Sequence, residues 1–348
     1  MKILYIGPLC PGGTCLQRMQ AMQKLGYEIT PIDTEPRTFQ KKQKQLFYRI
    51  MRKIRGPVDL AGVNQSILQI TREKSFDVAW IDKGILLLPE VLQYIKKTTK
   101  SLLAHHNTDD ITYKSRDFKN YLKAIKIYDV QFTSNTFNIP VMHELGAKKV
   151  YFAELAYDDK LFKPIVVSNN DREKLKSDIF FIGHWEPKTE ELICCLAKQG
   201  LPISVRGQNW HKARNKKLLR NVIKSGPVWE EEYVKALCSG KIGLGIISKC
   251  NRNQTAGRIF EIPACGTFLL AERTPSIESL YVECKEAEFF SNSEELLEKV
   301  KYYLSHDKER QAIAKAGQER CRTSHYSWKD RVSEMLEKVE EILNGERH

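Results

Sequence analysis

The apolar run from Met1 to Ile6 has the pattern of a buried strand, and the loop G-P-L-C-P-G-G after it leads into helical spacing from Leu16 to Lys24, with Gly26 as the stop. Strand-like runs recur at Tyr27 to Ile32, Asp77 to Ile81, Ser101 to His105, Asp129 to Thr133 and Lys149 to Ala153. Helical stretches such as Leu60 to Glu73 and Leu88 to Lys97 separate them. This alternation predicts a parallel, doubly wound sheet, whose ligands gather at the carboxyl ends of its strands. After a polar stretch at Ser168 to Lys176 a second series begins, with strands expected at Asp178 to Ile182, Pro202 to Val205, Ile242 to Ile246 and Thr267 to Leu270. The expected architecture is α/β, with two similar domains facing across a cleft where two substrates can meet.

A chain of 348 residues can bury two cores of ordinary size, and 42% hydrophobic with 28% charged residues is the composition of soluble globular material. The nine cysteines show no paired framework and no C-x-x-C. A reduced, cytoplasmic chain without structural zinc is expected. The first apolar run is too short for a signal peptide and no later one reaches spanning length, so neither secretion nor membrane insertion is expected.

The net charge of +13 favours anionic partners and is concentrated in one place. Between Arg37 and Arg55 lie eight Lys or Arg residues and no acid, while Leu46, Phe47, Ile50, Met51 and Ile54 recur at helical spacing. Such a basic amphipathic helix suits peripheral contact with a membrane surface or an anionic acceptor. The commoner arrangement, and the expectation here, is a stripe packed on its own domain with its charges solvated.

The densest chemistry lies in N-Q-T-A-G-R-I-F-E-I-P-A-C-G-T-F-L-L, Asn253 to Leu270. Gly257 opens a short helix over Arg258 to Ala264 that Gly266 caps before a strand. Arg258 and Glu261 are three apart and share a face. A guanidinium fork suits phosphate oxygens, a helix start offers N–H groups to an anion, and a carboxylate one turn on can accept two neighbouring hydroxyls, so diphosphate plus ribose fits. An isolated R-x-x-E is more often an intrahelical ion pair.

R-I-F-E-I-P-A-C-G-T-F-L-L, the acidic and apolar stretch to Phe290, S-E-E-L-L-E-K-V-K-Y-Y-L, A-K-A-G-Q-E-R and H-Y-S-W-K-D-R-V together resemble the carboxyl-terminal half of GT-B glycosyltransferases. The similarity covers most of residues 177 to 340. It is nearest to the CgeB-like group (glycosyltransferase group 1) and more distant from the retaining family-four enzymes. The resemblance implies two Rossmann-like domains, over residues 1–165 and 166–328, and a final helix at 329–348 crossing back to the first. It implies that Glu261 holds the ribose of a nucleotide donor. Family-four enzymes carry a second Glu eight residues earlier, where this chain has Asn253, a departure that favours the CgeB-like branch.

Other candidates follow from position. Gly12 and Gly13 could admit phosphates or acceptor to the backbone of the first loop, though such glycines more often serve only the turn. No G-x-G-x-x-G is present, which weakens a dehydrogenase reading. Gly183, His184 and Lys188, in F-F-I-G-H-W-E-P-K, open the loop that faces the donor in GT-B relatives; Lys188 is there balanced between a diphosphate contact and a solvated lysine. Trp229 could flank a nucleotide base or anchor packing. His106, Asp109 and Asp110, in H-H-N-T-D-D after an expected strand, are the candidate catalytic groups, an aspartate as base for the acceptor hydroxyl or His106 as base or orienting group. The same string suits an Asx cap.

The absence of D-x-D leads to a metal-independent transfer with no cofactor, the nucleotide-diphosphate sugar being the substrate and a hydroxyl on a glycan, lipid or protein its acceptor. Two rivals stand beside it. One is a sugar-nucleotide epimerase of the same architecture, and the other a non-catalytic basic binding protein. Nucleic acid is not expected as a partner, because the basic cluster lacks a stacking array of aromatics.

Overall fold

The computed structural model describes residues 1–38, 46–113, 117–224, 226–249 and 252–345. The chain forms two compact units, one of residues 1–154 with 328–348 and the other of residues 155–327.

The first unit alternates strand and helix: β1 (Lys2–Gly7), α1 (Thr14–Lys24), β2 (Glu28–Asp33), α2 (Leu46–Arg55), α3 (Val63–Glu73), β3 (Val78–Asp82), α4 (Pro89–Thr99), β4 (Leu102–Asn107), α5 (Lys119–Ala124), β5 (Val130–Thr133), α6 (Asn138–Glu144) and β6 (Val150–Phe152). The strands lie in the order β2-β1-β3-β4-β5-β6 and every pairing is parallel. Helices cover both faces, so the inner strands β3, β4 and β5 are buried along their whole length. Leu4, Ile6, Ile81 and Leu103 meet Ile67, Leu92 and Ile95 of α3 and α4 on one side, and Trp80 stacks on Phe132 on the other.

The second unit contains α7 (Asn169–Leu175), β7 (Ser177–Ile182), α8 (Pro187–Lys198), β8 (Ile203–Arg206), α9 (Lys216–Leu219), α10 (Glu230–Ser239), β9 (Gly240–Gly245), α11 (Arg258–Ala264), β10 (Phe268–Glu272), α12 (Pro275–Leu280), β11 (Glu288–Phe290), α13 (Ser293–Ser305) and α14 (Asp307–Thr323). Its parallel sheet runs β11-β10-β9-β7-β8. The three-residue edge strand β11 lies in a stretch where no strand was expected. Both sheets reverse direction beside their first strand, between β1 and β3 and between β7 and β9. Those reversals are the switch points at which doubly wound sheets bind ligands.

The unit boundaries differ from the expected ones at 165 and 328. Tyr157 and Phe162 of the connector sit in the core of the second unit, so residues 155–165 lie with it. The last helix, α15 (Trp328–Gly345), belongs to the first unit. Trp328 Nε1 donates to Gln17 Oε1 of α1 at 3.0 Å, and the Tyr27 hydroxyl donates to Glu340 Oε1 at 2.9 Å.

Helix α2 corrects an expectation. Three residues of its apolar stripe do not pack on its own domain: Phe47 and Ile54 are each 73% exposed and Ile50 is 47% exposed, while Met51 is half-buried. Residues 39–45, the amino-terminal part of the basic segment, are outside the described residues. Among the described residues no helix is long and apolar enough to cross a membrane.

Candidate functional site

Strand β9, K-I-G-L-G within its range, explains where α11 sits. A Cβ on Gly243 would stand 2.8 Å from Ile262, and one on Gly245 would stand 2.7 Å from Ile259. The bare strand therefore lets α11 lie close on the sheet, with its first residue at the β7/β9 switch point. Pro263 and the left-handed Gly266, at φ 74°, end the helix one turn later.

Arg258 is held at two points of that switch. Its Nε donates to the Ile182 carbonyl at 3.3 Å and its Nη1 to the Ile246 carbonyl at 2.7 Å, so it joins the ends of both strands. The guanidinium lies 4.9 Å from the Phe181 ring centre. Gly183 makes room, since a Cβ there would come within 2.6 Å of Nη2. That third nitrogen meets no acceptor among the described residues, and it is the one left for an anion.

Glu261 does not pair with Arg258 as an isolated R-x-x-E would. Its Oε2 accepts from the Tyr233 hydroxyl at 2.8 Å, while Oε1 lies over bare Gly257. Burial pushes the carboxyl above its ordinary value, and the Tyr233 hydroxyl and Arg258 only partly offset this. Trp229, one turn before Tyr233 on the same chain segment, is half exposed, unlike a packing anchor. Asn253 is partly buried and its Oδ1 has no partner among the described residues.

The neighbouring loops are braced by carboxylates. Glu186 accepts from His184 Nε2 at 2.8 Å, from the Ser248 hydroxyl and from the Lys249 amide at 3.1 Å. Burial raises its carboxyl, but these donors outweigh burial and leave it below the ordinary value. Lys188 is neither free nor solvated: it pairs with Glu272 and donates to the Ile247 carbonyl at 3.2 Å, while Glu272 accepts the Ile247 amide at 3.0 Å. Gly207, at φ 140°, lies so close that a Cβ would collide with the Gly183 carbonyl. Trp210 Nε1 donates to that carbonyl at 3.0 Å.

The switch point of the first unit is filled by protein instead. A Cβ on Gly7 of β1 would stand 2.9 Å from Asp82 Cβ at the end of β3. Arg18 Nη2 pairs with Asp82 Oδ1 at 3.0 Å and Nε with Oδ2 at 3.2 Å, His106 Nδ1 shares Oδ1 at 3.0 Å, and the Tyr5 hydroxyl reaches Oδ2. Arg18 lies 4.6 Å from the Trp328 ring centre. Burial would raise the Asp82 carboxyl, but Arg18 and His106 hold it far below its ordinary value. Burial and then Arg18 push the His106 imidazole down, which keeps it neutral. His106 is sealed at 1% exposure, with Nε2 unpartnered among the described residues.

The two aspartates after His106 differ. Asp110 is buried, and its Oδ1 accepts from the Thr112 amide at 2.9 Å, the Thr112 hydroxyl at 2.7 Å and the Tyr113 amide at 3.3 Å, a turn-capping arrangement. The Asp109 side chain is 35% exposed and stands 3.6 Å from Lys83 Nζ. Gly12 is left-handed at φ 74°, and the Gly13 amide donates to the Cys10 carbonyl at 3.0 Å, so both shape the first turn.

Sequence reasoning passed over Tyr233, Glu186, Ser248, Glu272, Arg18 and Asp82. Tyr233 had a signal, lying four residues after Trp229 within an acidic helix start. The others were legible only through partners distant in the chain.

No curated protein matches the sequence. Residues 187–337 match the family described as glycosyl transferase-like. Among solved structures, the sucrose-phosphate synthase of Thermosynechococcus elongatus superposes with a TM-score of 0.72 at 11% identity over 99% of this chain and 100% of that one. The Anabaena protein HepE in complex with UDP-glucose gives 0.67 at 13% identity over 98% and 100%. A glycosyltransferase of Rickettsia africae gives 0.64 at 15% identity over 98% of both chains. The chain therefore has the GT-B fold, and its similarity to the glycosyl transferase-like family runs from α8 of the second unit into α15.

Proposed function

We propose that the protein transfers a sugar from a nucleotide-diphosphate donor to an acceptor hydroxyl without a metal, as a cytoplasmic enzyme of the CgeB-like branch. The observation that carries this reading is Arg258 tied to both strands of the β7/β9 switch with Nη2 open, one turn from Glu261 with Oε1 open. Arg258 binds the diphosphate, Glu261 accepts the ribose hydroxyls, and half-exposed Trp229 flanks the base. Gly257 and Asn253 border the diphosphate, and Gly183, His184 and Lys188 line the loop beside it. The described cysteines are all free, which suits a reducing compartment.

In the transfer, the bond between the anomeric carbon and the β-phosphate oxygen breaks as the acceptor oxygen bonds to that carbon. The departing charge falls on the diphosphate, where Arg258 neutralises it. The acceptor proton passes to a base. Of His106, Asp109 and Asp110, Asp109 is the exposed carboxylate and the one assigned that role.

Thermal shift with uridine, guanosine, adenosine and thymidine diphosphates tests this reading. One of them, at about 100 times its Kd, should add about 2.7 kcal/mol of stability, undiminished by EDTA. If none moves the melting temperature, the donor site is wrong. Product analysis with the matching nucleotide sugar alone should show at most slow hydrolysis; a new nucleotide sugar would mean an epimerase.

A further inference from the structure

Helix α2 is amphipathic but seated the opposite way round from a helix that packs its apolar stripe inward. Phe47, Ile50 and Ile54 are three and four residues apart and form one stripe, 73%, 47% and 73% exposed. What holds the helix to its unit is the other side: Tyr48 is 7% exposed, and Arg52, four residues on, makes a two-point pair with Asp117 at 3.1 and 3.3 Å. Ten residues give a helix of about 15 Å, which can lie along a surface but not cross one. The segment 37–55 that contains it has eight basic residues and no acidic one.

We propose that α2 docks the protein on an anionic lipid bilayer, lying in the plane of the headgroups with Phe47, Ile50 and Ile54 inserted. Two chemistries have to be matched at once, an apolar stripe and a dense positive charge. A bilayer with acidic headgroups presents acyl chain and negative charge at the same interface. A second copy of this chain does not match them, because pairing α2 with α2 sets two basic segments against each other. The proposal is independent of the donor site, since no residue of α2 belongs to it.

Co-sedimentation of the full chain with vesicles tests it. The protein should pellet with phosphatidylcholine vesicles containing phosphatidylglycerol and stay in solution with phosphatidylcholine alone. Raising NaCl from about 0.1 M to about 0.5 M should weaken binding at least about tenfold. The triple variant Phe47→Ser, Ile50→Ser, Ile54→Ser should bind more than about 100-fold more weakly. These side chains are exposed, so its melting temperature and nucleotide binding should match the unaltered protein. Three results overturn the proposal: no sedimentation with anionic vesicles, a triple variant that sediments like the parent, or a concentration-dependent dimer that the triple variant abolishes while vesicles bind neither form.

Discussion

Both switch points hold a guanidinium group, but only one leaves it without a carboxylate partner. Arg18 pairs with Asp82 and lies buried against Trp328, its unpartnered Nη1 sealed from solvent, whereas Arg258 donates to two carbonyls and keeps Nη2 for a ligand. Carbonyl partners leave the positive charge unneutralised, and a carboxylate would have cancelled it. This difference is why the donor is assigned to the second unit. Tyr233 positions Glu261 from the far side, and its hydroxyl pulls the carboxyl down against burial. Tyr233→Phe should therefore weaken nucleoside diphosphate binding by about 1 kcal/mol, roughly fivefold. It should also shift the acid limb of binding to higher pH, because the carboxyl then protonates more readily. Titrations across pH check both, and an unmoved acid limb would show that the Tyr233 hydroxyl does not govern Glu261.

Among the elements, the strands were the most legible from sequence, since a parallel sheet covered on both faces demands continuous apolar runs such as Ile3 to Ile6 and Phe268 to Ala271. Helix α11 was legible too, because Gly257 and Gly266 bracket it. Strand β11 was not, being three residues long at an edge. Periodicity also gave α2 its stripe without saying which way it faces, and Tyr48 decided that. Site pairs such as Tyr233 with Glu261 and Lys188 with Glu272 are 28 and 84 residues apart, distances over which one sequence carries no pairing signal. At this scale the loops after β7 and β8 touch backbone to backbone at Gly183 and Gly207. Gly207→Ala adds a collision to a left-handed φ and should destabilise the protein by more than about 2 kcal/mol. Urea unfolding checks this, and a change below about 0.5 kcal/mol would mean the two loops can separate freely.

For the molecule as a whole, the buried imidazoles make stability fall in acid. Burial pushes His105 down to about 3, against about 6.5 in an unfolded chain, and it stacks on Tyr121 with ring centres 4.3 Å apart. Between those values the unfolded chain binds the extra proton, so stability is lost as pH falls below about 6.5. Asp82, held low in the fold, adds loss in the same direction below about 4. His105→Phe should flatten the dependence by up to about 1.4 kcal/mol per pH unit between about pH 6 and pH 4, as read from urea unfolding. An unchanged slope would place the titrating group elsewhere.

Donor binding stands or falls with Arg258 and Glu261, which hold the nucleoside diphosphate. Calorimetry with the nucleoside diphosphate that stabilises the protein, on the unaltered chain and on Glu261→Ala and Arg258→Ala, measures this. Both variants should keep a cooperative unfolding transition and bind at least about tenfold more weakly, a loss of about 1.4 kcal/mol or more. Unchanged affinity in both would mean that the donor binds elsewhere.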